Sequence, residues 1–356
     1  MSSHNYGCRV SDEYAYKGLR TVILENELIR VVVLADKGTD IIEFLHKPSD
    51  IDFMWRGPRE IPDLRTYVPT SGLADGFFMD YYCGAWQEIF PNGGPAATYK
   101  GAAIGQHGEV SLQPWSSRIV EDTIDRVAVE FRVQTQRTPF ILEKTLALER
   151  HQGVLFMHEK LINEADEPME FMWGHHPAFG VPLLDEHCVV DTDAKTVVGD
   201  DQEHDPNGRI KLGATGRWPM IEDRQGNQID ISKVPPPKTC GVDVAYLTDF
   251  TEGWYALTNT RKRVGFGMRW DPALFKHVWF WQSYGRSYGY PWFGRTYNMA
   301  LEPFTSYPGH GLEEVIRRGR QARIEANGVI ETDLVAVAYD GVERVKRIGK
   351  RGEIEQ

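Results

Sequence analysis

The sequence predicts a large all-β fold with few short helices, and three observations carry that prediction. Short runs rich in β-branched and aliphatic residues recur along the chain, Asn, Asp and Gly turns separate them at intervals of roughly ten residues, and helical periodicity is weak nearly everywhere.

Taken in order, residues 21–24 and 28–34 read as a hairpin about Asn26-Glu27, and Asp36-Lys37-Gly38 turns the chain into a third strand at 40–45. A further short strand covers 52–55, so the chain opens as a meander. Runs 126–133, 140–148, 154–162 and 169–173 repeat the pattern at the spacing of a sandwich or barrel. The best helical candidate, 311–320, is short and lies between loops. Stretches 57–110 and 191–238, the latter with Pro235-Pro236-Pro237, read as long loops of the kind that build binding sites on rigid β scaffolds. No repeat or composition shift marks a second domain. The expected organisation is an N-terminal extension (1–19), one β-sandwich domain (20–330), and a C-terminal strand with a polar tail (331–356).

The chain has 356 residues, 41% of them hydrophobic, enough to bury roughly three quarters of its unfolded surface. Its net charge is -11, and the one basic cluster, Arg317, Arg318, Arg320 and Arg323, sits beside Glu313 and Glu314, so nucleic acid is excluded as a partner class. Cys8, Cys83, Cys188 and Cys240 show no paired spacing that would signal a zinc cluster or disulfide framework. The start, Met1 to Asn5, is polar and no apolar run reaches the about 18 residues of a membrane span, so the expectation is a soluble cytoplasmic protein with no membrane partner. Oligomeric state leaves no visible signature.

The run His175-His176-Pro177-Ala178-Phe179 is the most informative motif. The apolar residues Phe171-Met172-Trp173 lead into it and a proline interrupts it, which places both imidazoles where a buried strand is expected to end. Far upstream lies Gln106-His107-Gly108-Glu109, and far downstream Ala300-Leu301-Glu302-Pro303, where a carboxylate in an apolar strand calls for a reason to be buried.

These segments, in this order, resemble the aldose 1-epimerase (galactose mutarotase-like) family. The opening hairpins at 24–33, Asp36-Lys37-Gly38 and 52–55 are similar to that family's beginning, and the His107, His176 and Glu302 segments to its three site segments. The resemblance runs from about residue 20 to about 330. It implies a β-supersandwich of mostly antiparallel sheets with a sugar site on its concave face. It also implies His176 as catalytic acid, Glu302 as base, His107 orienting the substrate, and Asp243 contacting sugar hydroxyls. The family's arginine-containing segment has no counterpart; Gly84 to Gly94 stands in its place, which leaves the sugar open.

Ring opening of a cyclic hemiacetal removes a proton from the anomeric hydroxyl while the ring oxygen gains one, a task for a carboxylate and an imidazole whose pKa values burial can move towards neutrality. No cofactor and no metal are required, and the partner is a small-molecule sugar. Around this centre the reading keeps alternatives. His175 is either a second site residue or a structural neighbour, and Trp86, Glu88 and Asn92 either line the pocket or shape a turn. Alternation puts Trp279 and Trp281 on one face of a strand, as packing or as a sugar platform. Arg286 and Arg295 either meet an anionic sugar or form surface ion pairs. Two other classes stay open: a non-catalytic carbohydrate-binding protein, and a metal enzyme with His107, His176 and Glu302 as ligands.

Overall fold

The computed structural model describes residues 6–63 and 74–356. The polar start Met1 to Asn5 and part of the expected loop 57–110 lie outside them. Among the described residues, the expected alternation of β runs and turns resolves into two large antiparallel sheets. One has twelve strands. Its path runs Arg9–Tyr16, Leu19–Glu25, Ile29–Leu34, Asp40–His46, Trp86–Ile89, Gly174–Phe179, Tyr297–Phe304, His277–Tyr284, Val242–Thr248, Thr196–Gly199 and Thr215–Arg217, with Ile51–Asp52 alongside the fourth. The other has eight, in the order Cys188–Thr192, Trp254–Asn259, Val264–Arg269, Val329–Asp340, Val154–Asn163, Phe140–Glu149, Arg126–Gln134 and Ser116–Asp122.

The sheets pack through alternate side chains, as the two-residue period demands. Phe266 of the eight-stranded sheet meets Phe44, Trp86 and Phe179 of the other. Charged groups also enter this interior and are paired there, since an unpartnered buried charge costs far more than a paired one. Lys144 Nζ donates to Glu88 Oε2 at 2.7 Å, the Trp173 indole to Glu88 Oε1 at 3.0 Å, and His175 Nε2 lies 3.1 Å from Glu159 Oε2.

Several sequence expectations differ from the structure. The paired histidines do not sit at a strand end: they lie inside the strand Gly174–Phe179. That strand tolerates Pro177 because its ladder to Tyr297–Phe304 is interrupted between Gly174 and Ala178, where a proline's missing N–H is not needed. The expected C-terminal strand is present as Val329–Asp340, but the division at 330/331 falls inside it, and its pairing with Val154–Asn163 on one side and Val264–Arg269 on the other makes it central to the domain's sheet. The residues before 20 include the edge strand Arg9–Tyr16. Neither stretch expected as a long loop is one: 57–110 carries the helix Ala74–Tyr81 and the strand Trp86–Ile89, and 191–238 carries the strands Thr196–Gly199, Thr215–Arg217, Met220–Glu222 and Gln228–Asp230, while the helix expected at 311–320 spans Leu312–Arg317. No helix among the described residues is long and apolar enough to cross a membrane.

Candidate active site

The site is built on the face of the twelve-stranded sheet turned away from the second sheet. Gly174 pairs with Phe304 and Ala178 with Ala300, so His176 falls opposite Glu302 across the interrupted ladder. Glu302 pairs in turn with Trp279, and Trp279 with Tyr246. Residues paired across a ladder share a face, so one row presents an imidazole, a carboxyl, an indole and a phenol side by side. Trp281 and Val244 lie two positions along the same face. This answers the question that alternation alone left open: the face carrying Trp279 and Trp281 belongs to the cavity.

That cavity has a volume of about 310 Å³, and its walls include Phe78, Tyr82, His107, His176, Asp200, His204, Tyr246, Trp279, Trp281, Trp292 and Glu302. His176 Nε2 stands 3.6 Å from Glu302 Oε1, close but beyond hydrogen-bond reach. His176 Nδ1, Glu302 Oε2 and the Tyr82 hydroxyl are all buried without a hydrogen-bond partner among the described residues. Burial pushes the Glu302 carboxyl well above the usual carboxylate range and pulls His176 down to about 4. Both changes have one cause, the cost of holding a charge away from water. Both shifts favour the uncharged forms, a carboxylic acid and a neutral imidazole, rather than the ionised Glu302 and protonated His176 from which a base and an acid would start.

His107 reaches the site on a turn that few residues could form. Its own φ is +57°, and at Gly108 (φ +82°) a Cβ would lie 2.1 Å from the Phe90 carbonyl oxygen. Glu109 anchors the turn from behind, accepting the N–H groups of Gln136 and Arg137 at 2.8 Å each and the Thr138 hydroxyl at 2.9 Å. His107 Nδ1 accepts the Gly94 N–H at 3.2 Å, which leaves the ring proton on Nε2. Burial, with the His176 charge adding to it, lowers His107 to about 3, which favours the neutral ring. Its ring lies edge-on to Phe78, with centroids 4.5 Å apart, and 5.8 Å from His176.

Thus the structure brings His107, His176 and Glu302 together in one cavity. Other predicted residues lie elsewhere. His175, Trp86 and Glu88 point to the opposite face, into the interior between the sheets, because neighbouring strand residues alternate. There the Trp86 indole donates to His175 Nδ1 at 3.3 Å. Asn92 does not line the cavity but holds its wall, donating to the carbonyls of Pro95 and Gly105 and accepting the Leu312 N–H at 2.7 Å. Asp243 faces away from the cavity floor and is bound by Arg209 and the Ile210 N–H. Arg286 and Arg295 are exposed outside the cavity, Arg295 donating to the Pro58 carbonyl at 3.3 Å.

Several wall residues were not singled out by sequence. Phe78 and Tyr82 come from the unanticipated helix Ala74–Tyr81 and the residue after it. Asp200 and His204 follow the strand Thr196–Gly199, in the stretch 191–238 where no residue stood out in the sequence. Asp200 Oδ2 accepts from the Tyr246 hydroxyl at 2.5 Å and is 3.0 Å from His204 Nε2, while Oδ1 is 2.8 Å from His310 Nε2. Among the described residues, Asp200, Asp201 and His310 form the group close enough to share one ion; His107, His176 and Glu302 do not. Yet the Asp200 oxygens are already taken by these donors and the Gln202 N–H, and Asp201 pairs with Arg318 at 2.7 Å. The cluster is that of a satisfied anion.

A family described as Domain of unknown function (DUF4432) matches residues 16–335. No curated protein matches the sequence. Among solved structures, a Klebsiella pneumoniae protein provisionally designated an aldose 1-epimerase superimposes with a TM-score of 0.71 at 13% identity, over 94% of this chain and 84% of that one. A galactose mutarotase-like protein from Clostridium acetobutylicum gives 0.63 at 14% identity, over 94% and 99%. A galactose mutarotase related enzyme from Lactobacillus acidophilus gives 0.57 at 16% identity, over 92% and 100%. Identities this low establish the galactose mutarotase-like fold of this chain and nothing finer.

Proposed function

Because the chain belongs to the DUF4432 family, whose description states no activity, we propose its function from the site: it interconverts the anomers of a neutral aldose by acid–base ring opening. The observation that carries this reading is the set of three buried polar groups without partners, on Tyr82, His176 and Glu302, around a cavity that holds an imidazole and a carboxyl 3.6 Å apart. Buried polar groups are almost always hydrogen-bonded, so such a set marks a place where a polar ligand completes them. The volume lies at the low end for ligand pockets, about 300–1,000 Å³, and suits a single sugar ring. The indoles of Trp279 and Trp281 supply apolar surface for the C–H face of that ring.

Neutral His176 takes the proton of the anomeric hydroxyl while Glu302 gives its proton to the ring oxygen, and the bond from the anomeric carbon to that oxygen breaks. The open aldehyde rotates about C1–C2. Closure runs with roles exchanged: the Glu302 carboxylate takes the proton of the former ring hydroxyl, and the His176 imidazolium returns one to the carbonyl oxygen. Glu302 as base and His176 as acid is thus the closing half of a cycle that conserves one shared proton. Each positioned group supplies about 10² to 10⁴ in rate. His107, neutral and donating from Nε2, orients the sugar.

The substrate class follows from charge. Among the described residues lining the cavity there is no Lys or Arg, while Asp200 and Glu302 are present. A uronate or sugar phosphate would meet no counter-charge there, so a neutral aldose fits best. The test is an NMR exchange measurement over neutral and acidic aldoses: acceleration of a neutral member is expected. Acceleration confined to acidic sugars would overturn the substrate class, and binding without acceleration of any sugar would reduce the protein to a carbohydrate binder.

A further inference from the structure

We infer that His204, oriented by Asp200, contacts the sugar at the end of the cavity remote from His176 and Glu302, accepting a hydrogen bond from a distal hydroxyl and so setting which aldose the site selects. This deepens the neutral-aldose reading and rests on it.

Asp200 is a buried carboxylate. Burial alone would raise its pKa, but the hydrogen bonds from His204, His310, Tyr246 and the Gln202 N–H outweigh that cost and hold it well below the usual carboxylate range. A carboxylate only accepts hydrogen bonds, so the proton of a neutral His204 must sit on Nε2, the nitrogen 3.0 Å from Asp200 Oδ2. The lone pair is then on Nδ1. His204 lines the same cavity as His176 and Glu302, and its side chain is 36% exposed, so a ligand can reach it. The loop thus presents one directed acceptor, its tautomer fixed by a buried anion.

Its position follows from the ladder. Glu302 pairs with Trp279 and Trp279 with Tyr246, so Tyr246, which binds Asp200, stands two strands from Glu302. That is roughly 10 Å at the backbone, given about 4.8 Å between strands. With the anomeric carbon between His176 and Glu302 and the ring over the intervening indoles, the hydroxyls farthest from the anomeric carbon point to the Asp200–His204 wall. Epimers that differ there differ in whether His204 receives a donor. Sites that hydrogen-bond a hydroxyl discriminate against analogues lacking it, and at the partly exposed His204, where water can replace a lost partner, the effect is moderate.

The experiment compares wild type, His204→Ala and His204→Asn. Anomer exchange gives kcat and KM, and quenching of the fluorescence of the cavity tryptophans gives affinity independently of catalysis. The probes are the best neutral aldose of the panel and its single-deoxy and epimeric analogues at positions remote from the anomeric carbon. Expected is a rise of about tenfold in KM and in the dissociation constant for His204→Ala, with less of the effect in kcat. This loss disappears for the one deoxy sugar that lacks the contacted hydroxyl. His204→Asn, whose amide oxygen can take the place of Nδ1, restores part of the affinity. An unchanged affinity, or a loss equal for every sugar including all deoxy analogues, overturns the inference. Wild-type protein that binds with this hydroxyl dependence but exchanges no anomer sinks the acid–base reading and leaves the His204 contact standing. Failure of the wild type to bind any aldose overturns both.

Discussion

At Glu302, burial and chemistry pull in opposite directions, and both can be measured. An unfolded Glu titrates near 4.5, whereas burial holds the folded group protonated well above that value. A group whose folded pKa is raised contributes stability that is full below the unfolded pKa and lost as pH rises through the folded one. Wild type should therefore lose stability on this account from about pH 4.5 upwards. Glu302→Gln, which cannot ionise, should melt higher than wild type at pH 8, with the gap closing towards pH 4, while anomer exchange falls by at least about 10²-fold. A Tm difference independent of pH would show that the carboxyl is ionised in the fold. The exchange rate of the wild type should form a broad plateau. Its acid limb lies near pH 4, where His176 becomes protonated and can no longer accept the anomeric proton, and its alkaline limb comes where Glu302 ionises. The neighbouring imidazoles separate in the same assay. His176→Asn should nearly abolish exchange. His175→Asn removes the bonds to Glu159 and Trp86 and should cost about 1–3 kcal/mol of stability with far less effect on kcat; the reverse ranking would misplace the catalytic imidazole. Which of two adjacent histidines faces the cavity was not written in the dipeptide. Alternation says only that they face opposite ways, and the partners that decide it, Glu159 for one and Glu302 for the other, are far off in sequence.

Elements were legible where period and turn chemistry agreed. The hairpin through Asn26 was, because the Asn26 side chain bonds the N–H groups of Leu28 and Ile29, each at 2.9 Å, and fixes the turn that the sequence announces. Helix Ala74–Tyr81 was not, since its stretch is crowded with glycine, proline and aromatic residues that read as loop. The wall residues that follow from it, Phe78 and Tyr82, stayed hidden for the same reason. The turn carrying His107 shows how a two-residue motif can encode an element's geometry: the histidine is held in the left-handed region and the next position has no room for a side chain. Gly108→Ala should therefore cost at least about 1–3 kcal/mol through backbone strain and contact with the Phe90 carbonyl. It should also raise KM for the sugar by moving His107. A variant as stable and active as wild type would mean that this turn relaxes freely and does not set the position of the imidazole.

Across the whole molecule, the order of the three site segments could be read in sequence, but their meeting point is a property of sheet register. His176, Glu302, Trp279 and Tyr246 lie on four strands drawn from three distant parts of the chain, and only the pairing of those strands makes one row of them. The same dependence on non-local pairing explains why the C-terminal boundary was misjudged. The expected C-terminal strand is present as Val329–Asp340, but nothing local in it tells that it joins Val154–Asn163 to Val264–Arg269 at the centre of the sheet. Removing 331–356 takes away Leu334 and Ala336, cuts the eight-stranded sheet in two and exposes the facing edges of Val154–Asn163 and Val264–Arg269, so that chain should not fold, as judged by its far-UV spectrum and gel filtration. Removing only 342–356 leaves both sheets whole. It does strip Val342, Val345 and Ile348 from the satellite cluster around Trp254 and Tyr339, together with the Arg344–Asp191 pair. At about 1.5–3 kcal/mol for each buried aliphatic side chain, this shorter deletion should lower the Tm clearly and still leave a folded protein with its anomer exchange intact, since no residue of that segment reaches the cavity. Loss of exchange in a folded 1–341 chain would show that the far side of the sandwich governs the site.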